Sequence, residues 1–208
     1  MAQSELVEKI YLDGLCEVFK VVVGPVDNNV YIVRCKSTGE GVLIDAANEH
    51  EKLLDLCQRY NVRRVLETHG HWDHIQAVPQ VREAGIDVGI THEDSDMLEA
   101  YDFVLEDDSE IAVGDLKLGS IATPGHTPGS MCFYLQSANL LFSGDTLFPG
   151  GPGATKFPGG NFEEIIGSIE GRLFSKLPLS TVVLPGHGAS TTIQTELPHL
   201  DEWIERGW

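Results

Sequence analysis

Short apolar runs separated by turn residues dominate the first part of the chain. Within residues 15–46 the runs L-C-E-V-F-K-V-V-V, V-Y-I-V-R-C-K and G-V-L-I-D-A are separated by G-P-V-D-N-N and K-S-T-G-E-G. Runs rich in β-branched and aromatic residues, bounded by Gly, Pro, Asn and Ser, are typical of consecutive antiparallel strands. The chain therefore begins with a strand-rich region.

Helical and strand-like patterns alternate in the rest of the chain. Amphipathic patterns predict helices at 49–60 and at 75–84, where Pro79 disturbs the second, with a buried strand at 62–67 between them. We further predict a strand at 88–91, a short acidic helix at 93–100, strands at 109–113, 116–122, 131–136, 140–142 and 181–185, and helices at 162–174 and 197–206. Many strands with interspersed helices favour an α+β fold with two sheets covered by helices.

Length and charge narrow the class of protein. A chain of 208 residues predicts one domain spanning 1–208. The net charge of −18 argues against nucleic acid and anionic membranes as partners, because both repel an acidic surface. The first ten residues lack the apolar core of a secretory signal, and no stretch approaches the roughly 18 apolar residues of a membrane span. These features predict a cytoplasmic protein that acts on a small-molecule substrate.

A cluster of candidate metal ligands follows the predicted strand at 62–67. His69, His71, Asp73 and His74 occur within the six positions of H-G-H-W-D-H. Residues two apart at the end of a strand project to the same side, so His69 and His71 can converge on one ion. Asp73 and His74 follow in the turn, where the chain can wrap around a second ion.

Three later loops each offer one further ligand. His126 lies in A-T-P-G-H-T-P-G-S, Asp145 follows the apolar strand in L-L-F-S-G-D-T, and His187 follows T-V-V-L-P in a glycine-flanked loop. Loops carried on the ends of rigid strands are where catalytic groups are commonly mounted. Five imidazoles and two carboxylates suit borderline divalent ions such as Zn²⁺, Fe²⁺ or Mn²⁺.

The order of these motifs resembles that of the metallo-β-lactamase superfamily. H-x-H-x-D-H, a distant His, G-D-T and G-H-G follow one another between positions 69 and 187. The resemblance implies a four-layer αβ/βα sandwich with two divalent metal ions, with zinc as the first choice, at one edge of two facing sheets. It implies one ion held by His69, His71 and His126, a second held by Asp73, His74 and His187, and Asp145 bridging both. A hydroxide between the ions would be the nucleophile, and Asp73 is also assigned as a catalytic residue.

Within the superfamily, F-S-G-D-T-L-F-P-G-G and P-G-H-T-P-G-S are most similar to the glyoxalase II (hydroxyacylglutathione hydrolase) group, which cleaves thioesters. Asp145 stands where true β-lactamases carry other residues, which disfavours antibiotic hydrolysis. Only 208 − 187 = 21 residues follow His187, so the chain resembles short relatives without the helical domain that supplies much of the glutathione site. Lys156, in G-A-T-K-F, lies where the group carries a basic residue for glutathione; a solvated loop lysine is the alternative.

Other functions are compatible with the same motifs. A lactonase or esterase would use the same dinuclear site. A persulfide dioxygenase would use one iron, but such enzymes have a different tripeptide from the T-P-G after His126. A non-catalytic metal-binding module is disfavoured because none of the seven ligands is replaced by an inert residue. A homodimer is possible, in which the loop around Lys156 of a neighbouring copy closes the cleft.

Overall fold

Two large β-sheets form the centre of the protein in the computed structural model, which describes residues 7–207. The first sheet contains seven strands in chain order, β1 Glu8–Leu12, β2 Cys16–Val23, β3 Asn28–Cys35, β4 Gly41–Ile44, β5 Val62–Leu66, β6 Asp87–Ile90 and β7 Phe103–Val104. The later strands are β8 Glu110–Val113, β9 Leu116–Ala122, β10 Met131–Leu135, β11 Leu140–Gly144, β12 Leu147–Phe148, β13 Gly151–Pro152, β14 Val182–Pro185 and β15 Thr191–Thr192. The strands β12 and β13 pair with each other, and the others form the second sheet in the order β15-β14-β11-β10-β9-β8.

Short helices connect the strands. They are α1 His50–Arg59, α2 Trp72–Ile75, α3 Val78–Glu83, α4 Phe162–Ser168, α5 Ile193–Glu196 and α6 Leu200–Arg206. A π-helical segment, Ile169–Phe174, continues α4, and 3₁₀ turns occupy Ser95–Met97, Gln136–Ala138 and Leu197–His199. Among residues 7–207 no helix has the length and apolar character needed to cross a bilayer. Residues 1–6 and residue 208 lie outside the described residues. The prediction of localisation used residues 1–6, and the predicted domain ends at residue 208.

The core between the sheets follows from the alternation of side chains along each strand. In β3, Tyr31 and Val33 pack between the sheets in the same cluster as Phe133 of the second sheet. Val30 and Ile32 point the other way, into the cluster beneath the helices. Because both faces of this strand are buried, its sequence is a nearly continuous apolar run instead of an alternating one.

Helices cover the outer face of each sheet. Leu53 and Leu56 of α1 complete the cluster on the outside of the first sheet. Ile169, Leu173 and the buried Trp203 of α6 complete the cluster outside the second. The layers therefore run helix, sheet, sheet, helix, which confirms the predicted αβ/βα sandwich and the α+β class.

The structure corrects several predicted elements. The acidic helix predicted at 93–100 is wrong, since only the 3₁₀ turn Ser95–Met97 forms there, beside an Asp94 side chain that is buried and bound to distant loops. The helix predicted at 75–84 is preceded by a separate short helix, and Pro79 lies in the first turn of α3, where its missing N–H has no helical acceptor to lose. The edge strand β1 was not predicted, because E-K-I-Y-L is charged at its start and partly exposed.

Candidate metal centre

The strands deliver the predicted ligands to one edge of the sandwich. Asp145 directly follows β11, and His187 follows β14, which pairs parallel to β11, so both strands end at the same edge of the second sheet. His69 comes shortly after β5, and His126 lies in the loop between β9 and β10. Asp73 lies on α2, which begins after His71, so a helical turn replaces the simple turn predicted there.

All seven predicted ligands come together in overlapping groups. Each group has its nitrogen and carboxylate oxygen atoms within 4.8 Å of one another, and the groups are His69, His71 and His126; His69, His74 and Asp145; and Asp73, His74 and His187. The first and third groups are the two sets that the resemblance to the superfamily implied. Asp145 lies between them, with Oδ2 3.6 Å from His126 Nε2 and 3.7 Å from His187 Nε2.

Hydrogen bonds on the outer side of the rings orient three of the histidines. Backbone carbonyls accept hydrogen bonds from Nδ1 of His126 and His187 at 2.7 and 3.1 Å, and Asp45 Oδ2 accepts from Nδ1 of His74 at 2.8 Å. A carbonyl oxygen can only accept, so Nδ1 of His126 and His187 carries the hydrogen. The Nε2 lone pair of each neutral ring is then directed at the common centre, which is the tautomer a metal ligand requires.

Two polar atoms at the centre have no partner among the described residues. They are His69 Nε2 and Asp145 Oδ1, and both are buried. Asp145 Oδ1 is 3.5 Å from His74 Nε2, too long for a normal hydrogen bond. Buried polar atoms without partners are costly unless an unseen water or ion satisfies them. A divalent cation would satisfy both atoms, so the donor set fits a metal site.

Because imidazoles and carboxylates lie close together, the pKa values of individual groups are shifted in opposite directions. Burial, followed by the neighbouring imidazoles, lowers the pKa of His69 well below its usual value. For His74 burial acts in the same direction, but the charges of Asp145 and Asp45 outweigh it and raise the pKa to about 9. Burial would raise the pKa of Asp73, yet the hydrogen bond with His187 and the charge of His74 lower it well below the usual range. The centre thus stabilises the anionic form of the Asp73 carboxylate.

Asp45 supports the site and was not predicted as a functional residue. Besides His74, it accepts hydrogen bonds from the N–H and hydroxyl of Thr68 at 2.7 and 2.9 Å. Its backbone has φ +65°, a left-handed conformation that Asp tolerates better than most residues. The fully buried Glu67 lies nearby and accepts from Ala46 N, and burial followed by the Asp45 charge raises the pKa of Glu67 well above its usual value. The available signal was an acidic residue at the end of the buried run G-V-L-I-D.

The first two residues of β3, Asn28 and Asn29, hold the third group in place and were likewise not predicted to do so. Asn28 Nδ2 donates to Asp73 Oδ2 at 3.1 Å, and Asn29 Nδ2 donates to the carbonyl of Pro185 at 2.9 Å. Asn28 is buried, and its Oδ1 has no partner among the described residues. In the sequence these two asparagines were indistinguishable from ordinary turn residues.

Aromatic side chains surround the mouth of the centre. Phe157 is exposed, and its ring meets the His71 ring edge-on at 5.6 Å, while Phe148 stacks near His187 at 6.5 Å. Lys156 is also exposed, with Nζ 5.6 Å from the centre of the Phe157 ring. Lys156 therefore lies next to an aromatic neighbour of His71 and outside the groups that could hold a metal.

Together the sandwich and its edge cluster define a metal-dependent enzyme scaffold, and comparison with known proteins gives the family. Residues 23–187 match the sequence model of the metallo-beta-lactamase superfamily. The chain belongs to this superfamily, whose fold binds divalent metals. The hydroxyacylglutathione hydrolase GloC of Haemophilus influenzae is 34% identical over 178 residues, which cover 74% of this chain and 82% of the relative.

Solved structures of the same fold include both a lactamase and a di-iron protein. The BLEG-1 B3 metallo-beta-lactamase superposes with a TM-score of 0.81 at 30% identity, covering 88% of this chain and 97% of that chain. TTHA1623 in a di-iron-bound form has a TM-score of 0.76 at 32% identity, covering 86% and 96%. The shared fold therefore accommodates more than one activity, and the substrate has to be argued from the site.

Proposed function

We propose that this protein is a thioester hydrolase that uses two divalent metal ions, with zinc as the resident metal and an acyl-glutathione or similar thioester as the substrate. The observation that carries the proposal is the pair of three-ligand groups that share one edge of the sandwich with Asp145 between them. The similarity to a hydroxyacylglutathione hydrolase supports the thioester substrate, and the similarity to a di-iron protein supports a centre with two ions.

Each ligand group has a distinct task in this proposal. His69, His71 and His126 would hold one ion, Asp73, His74 and His187 would hold the other, and Asp145, which lies between the two groups, would serve both. When bound, such ions lower the pKa of coordinated water from about 16 towards 7 and polarise a carbonyl group. Three protein ligands for each ion leave room for water and substrate, as in catalytic sites.

Asp73 has the second role of proton acceptor. Its carboxylate accepts a hydrogen bond from Asn28 Nδ2 at 3.1 Å, and 17% of the side chain remains exposed to solvent. A positioned carboxylate with access to the cleft can take the proton of the attacking water and return it to the leaving thiol. Phe157 and Phe148 exclude water from the two sides of the mouth and give the acyl group apolar surface to contact.

The test combines metal analysis with a substrate panel. Protein reconstituted with metal should contain two ions per chain and should hydrolyse S-lactoylglutathione faster than the matched oxygen ester and a panel of lactones. His126→Ala should lower metal content and kcat/KM by more than about tenfold, because it removes a ligand of the first group. His199→Ala is the matched control, since His199 is exposed and pairs with Glu202 away from the centre.

Two outcomes would contradict the proposal. Faster cleavage of lactones or oxygen esters than of thioesters would assign the site to a lactonase or esterase. A limit of one iron per chain, together with oxygen uptake on glutathione persulfide, would assign it to a persulfide dioxygenase.

A further inference from the structure

A buried carboxylate outside the ligand groups connects the loops that carry the first group. Asp94 follows β6 and is fully buried. Its Oδ2 accepts a hydrogen bond from Gly70 N at 2.9 Å and another from Thr127 Oγ1 at 2.7 Å, and its Oδ1 accepts from Gly129 N at 2.8 Å. Gly70 lies between two ligands of the first group, and Thr127 directly follows the third.

These contacts join the two halves of the sandwich. The loop with Gly70 extends from β5 of the first sheet, whereas the loop with Thr127 and Gly129 joins β9 to β10 of the second. One carboxylate therefore sets the distance between His69 and His71 on one side and His126 on the other. Outer contacts of this kind fix ligand geometry and determine metal affinity.

Asp94 and the 3₁₀ turn that follows it explain why both loops carry glycine at the positions that approach them. A Cβ on Gly129 would lie 2.6 Å from Asp94 Cγ, and one on Gly70 would lie 2.7 Å from the sulfur of Met97. Both distances are shorter than real side chains show. The backbone N–H groups can approach Asp94 only because these two positions lack side chains.

We propose that Asp94 is the positioning residue of one metal site, so that its loss weakens the binding of one ion and spares the other. The inference rests on the proposed pair of metal sites. The second group is held by other contacts, from Asp45 to His74 and from Asn28 to Asp73. None of these contacts involves Asp94, so substitution there should act mainly on the first site, although Asp145 lies between the two groups.

Asp94→Asn removes the contacts selectively without changing the size of the side chain. An amide presents one acceptor oxygen and one NH₂ group, so the NH₂ must face either the N–H of Gly129 or the N–H of Gly70, whereas the Thr127 hydroxyl can turn to accept. A donor then faces a donor in a buried site, and one of the two loops is released. The matched control is Asp102→Asn, because Asp102 also accepts three hydrogen bonds, from Arg82 and Val88 N, but touches neither loop.

The experiment is a cobalt(II) titration of the metal-free protein, followed by absorption spectra and by competition with a chelator. Wild type should give two binding steps. In Asp94→Asn one dissociation constant should rise by about 10- to 100-fold while the other stays within about threefold of wild type, and Asp102→Asn should change neither. In a His71→Ala background, where the first group is already broken, adding Asp94→Asn should leave the remaining step unchanged.

The outcomes separate this inference from the proposed function. A wild type that binds fewer than two ions contradicts the dinuclear proposal itself. Two wild-type steps that Asp94→Asn weakens equally, or leaves unchanged, overturn the role of Asp94 alone. If Asp94→Asn does not fold, Thr127→Val provides the test, because it removes one hydrogen-bond donor to Asp94. Thr127→Val should weaken the same single metal-binding step. Weakening of both steps, or of neither, overturns the inference.

Discussion

Replacing Asp145 with Asn tests whether one carboxylate serves both metal sites. The side chain is 13% exposed, its Oδ1 has no partner among the described residues, and histidine nitrogens of both groups lie within 3.7 Å of its oxygens. Two unit charges 4 Å apart interact by about 4 kcal/mol at the effective dielectric of a protein surface. If the dipole of the asparagine amide replaces about two thirds of this interaction energy, about 1.4 kcal/mol is still lost. That loss corresponds to a tenfold lower affinity for the ion.

We therefore expect Asp145→Asn to bind both ions at least about tenfold more weakly and to turn over at least about tenfold more slowly. The change is isosteric, so the metal-free variant should still fold, and its urea midpoint is compared with that of metal-free wild type because the variant loses the charge that raises the pKa of His74. Metal affinity is measured by chelator competition, and kcat is measured at both limiting and excess metal. Wild-type metal content and activity in the variant would remove Asp145 from the centre, and loss of one ion only would remove its bridging role.

Two further predictions concern the cleft and the surface. Recognition of the leaving thiol should be loose, so S-lactoylglutathione and a thioester without the glutathione peptide should differ by less than about a hundredfold in kcat/KM. Lys156→Ala should change the ratio of the two kcat/KM values little. A larger preference for S-lactoylglutathione that Lys156→Ala abolishes would assign Lys156 to glutathione binding. At Asp107, burial raises the pKa, but the Arg172 pair and the Ala122 N–H lower it overall. Its stabilising contribution is thus present above the ordinary Asp pKa of about 3.9 and is lost as the pH falls through the lowered value. Urea unfolding should show Asp107→Asn less stable than wild type near pH 7 and the two converging in acid, and a constant difference across this range would contradict the assignment.

The sandwich and the seven candidate ligands could be predicted because their signals are local. Strands buried on both faces produce continuous apolar runs, and His69, His71, Asp73 and His74 occur within one short segment after such a run. The other ligands, His126, Asp145 and His187, lie in glycine-bounded loops next to predicted strands. Residue type, spacing and position at a strand end therefore identified these candidates, and the resemblance to a known family ordered them into two groups.

The residues that orient these ligands depend on contacts between distant parts of the chain, and only the tertiary structure revealed them. Asp94 is 33 residues from Thr127, and Asn28 is 45 residues from Asp73. In the sequence, Asp94 belongs to a segment predicted as a short acidic helix, and Asn28 belongs to a predicted turn. A polar side chain acquires its role from the donors that folding brings to it, and neither periodicity nor spacing along the chain carries that information.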